Sequence, residues 1–259
     1  MFMFPTSRFR ICEVFGIPVY LDISTVCLLF FFVGMTQSLL LDLACAAMLL
    51  VSIVLHELGH SLTARCFGCG TRDITLSLIG GCASLTGIPH KAWQEFLTAA
   101  AGPAVSFALA FLGFFTYEFC PLPFMAAVLY VTSIINFSLG AFNLLPGFPM
   151  DGGRIFRSAA LLFTSRERAT YLAMIVGRVA AALLVLGPFL GITHIWIIPV
   201  NGSFFMRLLI AWMIWKEGYR EYRQAQMESY WDSRWDFSAR VSPPPYGGDE
   251  DETEIRRGR

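Results

Sequence analysis

The sequence predicts an all-α polytopic membrane protein of about six transmembrane helices, with a small re-entrant β-hairpin or strand between the second and third. Three observations carry this expectation. Apolar residues make up 56% of the 259 and the mean hydropathy is +0.59. Only 15% of residues are charged, against about a quarter in an ordinary soluble domain. Apolar runs able to cross a hydrocarbon core of about 30 Å recur near 17–36, 39–62, 93–117, 124–145, 170–190 and 195–216. Finally, basic side chains fall on alternate connections: Arg8 and Arg10, then Arg65, Arg72 and Lys91, then Arg154, Arg157, Arg166 and Arg168, then Lys216, Arg220 and Arg223. The intervening connections carry none, so both termini are expected in the cytoplasm.

Each element follows from local composition. The start, "MFMFPTSRFRICEVFGIP", lacks the ordered basic, apolar and small-residue regions of a removable signal peptide, so residues 1–16 read as a short cytoplasmic segment and the first span is retained. Between the second and third spans, "GTRDITLSLIGGCASLTGIP" is β-branched, alternating and punctuated by Gly, which predicts a strand or hairpin. At membrane depth its backbone must be paired or face a wet cavity. Residues 17–216 form one six-span domain on this reading. After residue 216 the chain turns polar, then Pro-rich and acidic, and 217–259 is expected to be a largely disordered cytoplasmic tail after the frayed end of the last helix.

Composition also excludes functions. Formal net charge is zero and no basic stretch interleaves with aromatics, so nothing supports nucleic-acid binding. The seven cysteines are an odd number, several lie in apolar runs, and the single Cys66/Cys69 pair lacks the partners of a metal site, so they read as structurally neutral.

The chemistry is concentrated at "LHELGH", residues 55–60. On a helix, His56 and His60 are one turn apart on one face, about 40° in azimuth, with Glu57 beside them. That is the HExxH zinc arrangement, moderately specific by itself. Three ionisable groups within five residues of a span strengthen it, because such groups are expensive in lipid. The alternative is a polar cluster at a helix end, satisfied by interfacial water. With a rise of about 1.5 Å per residue from residue 40, His56 would lie roughly 24 Å into the core, near the cytoplasmic side.

A catalytic zinc needs a third protein ligand. His90 lies in a polar loop and His194 falls on the opposite side, which turns attention to carboxylates. Asp22, Asp42, Glu95 and Glu118 sit near span ends, where solvation or capping explains them. Asp151 sits in "FNLLPGFPMDGGR", where Pro146, Gly147 and Pro149 break the fourth span on the side expected for the histidines. Such a segment can leave helical geometry and deliver a carboxylate; the other reading is that Asp151 caps the next helix.

In order and spacing, "HELGHSLTARCFG", "LIGGCASL", "EFLTAAAGPAVSF" and "NFSLGAFNLLPGFPMDGGRIFRS" resemble the motifs of the site-2 protease family of intramembrane zinc metalloproteases, from about residue 15 to 217. The resemblance implies one Zn2+ per chain held by His56, His60 and Asp151, with Glu57 as catalytic acid/base. It implies that Asn143 supports an oxyanion or positions substrate, with an interhelical hydrogen bond as the alternative. It further implies a catalytic core at about 39–157, and a strand at Gly80 and Gly81 that pairs with unwound substrate, unless that segment is a plain connector. The implied partners are the lipid bilayer and a transmembrane protein substrate, such as an anti-sigma factor already trimmed by another protease, or a remnant signal peptide. The compact architecture leads to the expectation of a bacterial inner membrane. Nothing in the residues fixes the oligomeric state.

Asn136 and Ala101–Pro103 read as close-packing or hydrogen-bonding positions between spans, and Arg178 and Arg207 as snorkelling cations or marks of a misplaced boundary. A metal-ion transporter and a proteolytically inactive zinc-binding scaffold stay open as alternatives. Sparse polar positions toward the outer face weigh against the first, and an intact Glu57 against the second.

Overall fold

A computed structural model describes residues 8–25, 38–77, 80–87, 91–191, 194–195, 198–199 and 204–240. It is mostly helical, with a small sheet at one end. Strands β1 (Arg8–Val14) and β2 (Ile17–Asp22) form an antiparallel hairpin whose turn is Phe15 and Gly16, both at positive φ. Helix α1 (Leu39–Cys66) follows, with the Ser38 hydroxyl accepting from the Leu41 amide at its start. Then come β3 (Thr71–Ser77) and β4 (Gly80–Leu85). β2 pairs with β3 in parallel and β3 with β4 antiparallel, giving the order β1-β2-β3-β4. β3 and β4 thus form a hairpin between α1 and the next helix, as half of a four-stranded sheet.

Among the described residues, four helices are long and apolar enough to cross a membrane: α1, α2 (Ala92–Tyr117), α3 (Pro123–Asn143), and α5 (Arg166–Leu186) with its 3-10 extension to Leu190. Between α3 and α5, the segment with Pro146 and Pro149 breaks the helix, and the short α4 (Asp151–Ala160) begins directly after it. Outward faces carry large apolar side chains; Phe111 is 65% exposed. An apolar exterior of this kind fits a lipid solvent, and the chain is an integral membrane protein.

Two of the six expected spans are not borne out. Residues 17–22 belong to β2, because "IPVYLD" alternates and pairs with the distant β3; residues 26–37 lie outside the described residues. The stretch at 195–216 opens with two short strands, β5 (His194–Ile195) and β6 (Ile198–Pro199), and α6 begins only at Phe204. That helix then runs to Arg240, so the first half of the stretch expected to be disordered is helical; residues 241–259 lie outside the described residues. Its polar half is held by side chains of other helices: Glu221 pairs with Arg157, Glu228 with Arg166, and Gln226 donates to Glu167.

One apolar core joins the sheet to α1 through Ile17, Val19, Ile74 and Leu76 on the sheet and Ile53 and Leu58 on the helix. Arg65 in the last turn of α1 donates to the Phe15 carbonyl, 3.0 Å. Burial and this bond fix the sheet over the C-terminal half of α1, the half that carries "HELGH". α2 packs against α1, α3 and α4 and so stands between the two motif-bearing segments.

Candidate metal centre

α1 projects His56 and His60 from one face, and both are buried. α4 brings Asp151 to the same point from the far side of the chain break. Asp151 Oδ2 lies 3.1 Å from His56 Nε2 and 3.1 Å from His60 Nε2, and the two Nε2 atoms are 3.2 Å apart. These three side chains are grouped so that they could hold one metal ion. Asp151 is not the helix cap: Met150 occupies the N-cap position and Asp151 is the first helical residue.

The donor set fits a zinc ion on four counts. Ligand atoms bound tetrahedrally at about 2.0–2.2 Å lie roughly 3.3 Å from each other, close to the separations here. The opposite ring nitrogens are already engaged: His56 Nδ1 meets Ser106 Oγ at 2.9 Å and His60 Nδ1 meets the Thr98 carbonyl at 2.7 Å. With Nδ1 donating outward, each Nε2 keeps its lone pair for an ion. Gly102 leaves the space open, since a Cβ there would stand 2.2 Å from His60 Nε2 and 2.7 Å from His56 Nε2. Charge agrees as well: with neutral imidazoles, Asp151 and Glu57 together balance a divalent cation.

Glu57 follows His56 on α1, and its Oε2 accepts a hydrogen bond from the Ala83 amide of β4, 3.1 Å. Gly81 lies against it; a Cβ at that position would stand 2.5 Å from Glu57 Cγ. Gly80 has φ +118°, a backbone open to glycine and strained for other residues. Of the two strand glycines, Gly81 is the one against the HExxH glutamate, while a Cβ at Gly80 would meet nothing within 4 Å. Asn143 is less directly involved. Its amide donates to the Leu139 carbonyl one turn back on α3, 3.1 Å, and none of the described hydrogen bonds joins it to the histidines, Glu57 or Asp151.

Three residues at the centre were not picked out as functional in the sequence. Thr98, Gly102 and Ser106 recur every four residues and form one face of α2, a periodicity visible in "TAAAGPAVS". Glu95 lies on the same helix and corrects an expectation. It is buried, not solvated, and pairs with both Arg157 and Arg166, partners that lie far along the chain. Burial opposes the charge on Arg157, yet Glu95 and Glu221 more than offset this and raise its pKa above the ordinary guanidinium value.

The remaining expectations are structural. Asn136 is buried and donates across to Ser52 Oγ of α1, 2.8 Å. Arg178 packs over the Trp215 ring and Arg207 over Phe204. Cys66 and Cys69 are free thiols, and His90 lies outside the described residues.

Comparisons with known proteins agree with this geometry. A provisionally named zinc metalloprotease of Synechocystis sp. is 35% identical over 245 residues, covering 87% of this chain. A zinc metalloprotease of Methanocaldococcus jannaschii is 34% identical over 180 residues, covering 68% of this chain. The chain spans 62% and 52% of the lengths of these relatives. Among solved structures, the site-2 protease from M. jannaschii superposes with a TM-score of 0.60 at 30% identity, covering 83% of this chain and 95% of that one. Residues 44–123 and 121–187, more than half of the sequence, match the model of peptidase family M50. Both motif segments fall within that match, and the chain belongs to peptidase family M50.

Proposed function

We propose that this chain is an intramembrane zinc metalloendopeptidase, hydrolysing peptide bonds in or near transmembrane segments of other membrane proteins. The observation that carries the reading is the convergence of His56, His60 and Asp151 at 3.1–3.2 Å beside a glutamate tied to a sheet edge. His56, His60 and Asp151 hold the ion. Zinc, when bound, supplies Lewis acidity that polarises a scissile carbonyl and lowers the pKa of water toward ~7.

Glu57 takes the proton from the attacking water and returns it to the leaving amine. The Ala83 amide fixes the direction of its carboxylate. A helical substrate has its amides and carbonyls bonded internally, so it must unwind locally to be cut. β4 is an edge strand, and Gly81 and Ala83 on it lie against Glu57, so an unwound segment adding to that edge would be delivered to the site. Asn143 spends one amide N–H on Leu139 and keeps a second for an oxyanion or a substrate carbonyl. The arginine and lysine distribution supports cytoplasmic termini and a site near the cytoplasmic face of the membrane. Single-pass proteins already trimmed outside the membrane, and remnant signal peptides, are the substrate classes to try first.

The test joins metal content to cleavage. Wild type, Glu57→Gln and Asp151→Ala are purified in detergent, their zinc is measured per chain, and each is offered a panel of transmembrane segments. Wild type is expected to hold about one zinc and cleave. Glu57→Gln should keep the metal and lose turnover by about 10²–10⁴-fold, and Asp151→Ala should lose the metal. Cleavage by Glu57→Gln at the wild-type rate, or a wild type without zinc, overturns the reading.

A further inference from the structure

Beside the metal centre lies a second, charged cavity of about 340 Å³, lined by Cys82 and Ala83 of β4, by Arg154, Arg157 and Arg166, and by the polar half of α6. Ala83 is the residue whose amide holds Glu57, so this cavity begins where the edge strand passes the reacting centre. A peptide segment paired along β4 would carry its adjacent polar residues into it.

The charges along this wall are nearly all matched. Arg157 pairs with Glu95 and Glu221, Arg166 with Glu95 and Glu228, and Glu217 with Arg220. Arg154 is the exception. It is half-buried, sits three residues after Asp151 on α4, and makes no side-chain hydrogen bond or ion pair among the described residues. A half-buried guanidinium without a counter-ion is poorly compensated, and its planar fork suits one ligand above others, a carboxylate bound through two N–H groups. Arg154, Arg157, Arg166 and Arg220 together match Glu95, Glu217, Glu221 and Glu228 in charge, so the glutamates disfavour a polyanion such as phosphate, and what Arg154 lacks is a direct bidentate partner, not net charge.

We propose that Arg154 is a specificity-determining residue that binds a peptide carboxylate in the cavity beside β4. The carboxylate is either an acidic side chain in the polar flank of the substrate or the new terminal carboxylate of the cleaved product. The inference rests on the protease reading for the identity of the peptide, but it is tested by binding, without turnover.

The full chain carrying Glu57→Gln, loaded with zinc in detergent, is titrated with two pairs of fluorescent peptides. One pair is an apolar segment whose polar flank carries Asp or Asn; the other is a product-like peptide ending in a free carboxylate or an amide. One acid member is expected to bind roughly tenfold tighter than its neutral partner, and the pair that discriminates identifies the source. Adding Arg154→Gln should abolish the preference while zinc content stays unchanged. If Arg154→Gln fails to hold zinc, Arg154→Met, which keeps an apolar stem, is read in its place and must give the same loss. Equal binding within both pairs overturns the proposal. So does a preference that survives removal of Arg154, because the carboxylate would then be bound elsewhere, for instance by the ion. A wild type that cleaves nothing while the Arg154-dependent preference persists would sink the protease reading and leave this one standing.

Discussion

Helix α4 carries two buried charges of opposite sign, Asp151 in its first turn and Arg157 in its second, 8% and 6% exposed. Their surroundings differ in kind. Arg157 is enclosed by the carboxylates of Glu95 and Glu221, and Glu95 holds a second arginine, so that cluster is balanced within the chain. Asp151 faces two imidazoles whose outer nitrogens are already bonded to α2, and with Glu57 it leaves negative charge for a cation to neutralise. The comparison separates a buried charge that holds helices together from one that awaits a ligand. Proximity alone does not distinguish them; the count of compensating charges does.

If the two regions are independent, their variants should fail differently. The largest effect is expected from Asp151→Ala, which should reduce zinc from about one per chain to near zero by elemental analysis with little change in the apo melting temperature. Gly102→Ala should produce a similar metal loss by filling the site, since its Cβ would stand 2.2 Å from His60 Nε2. Arg157→Met leaves the buried Glu95 with Arg166 as its one remaining partner among the described residues and should cost up to about 3–5 kcal/mol of stability, read as a lower melting temperature in detergent, while zinc measured in the cold stays near one per chain. Should Arg157→Met lose zinc as completely as Asp151→Ala, the separation drawn here fails. Ser106→Ala is expected to weaken zinc binding by about 10–100-fold, measured by competition with a chelator. The smallest effect belongs to Glu228→Gln: its pair with Arg166 is partly exposed on both sides, and its loss should cost about 0.2–1 kcal/mol, less at high salt.

What could be read from the sequence was what local spacing encodes. HExxH fixes two histidines and a glutamate on one helix face whatever surrounds them, and Pro146, Gly147 and Pro149 announce a break that leaves Asp151 free to approach. Four spans were legible because length and apolarity suffice to define them. The strand at 17–22 was not, since its partner β3 is some fifty residues away and the alternation is masked by apolar neighbours. Glu95 was misread for the same reason: its arginines are 62 and 71 residues distant. Ser106 and Thr98 look like ordinary small residues of an apolar helix until α1 is laid against them. The "AGP" triplet did signal close approach, but not that the approach was to two histidines.

The two histidines also differ in what holds them. His56 is oriented by a side chain, Ser106, whereas His60 is oriented by the main-chain carbonyl of Thr98. No replacement at position 98 deletes that acceptor, as every residue carries one. A single replacement at 106 does delete the other. One half of the metal site is therefore written into the backbone of α2 and persists through substitution, while the other half can be adjusted one side chain at a time.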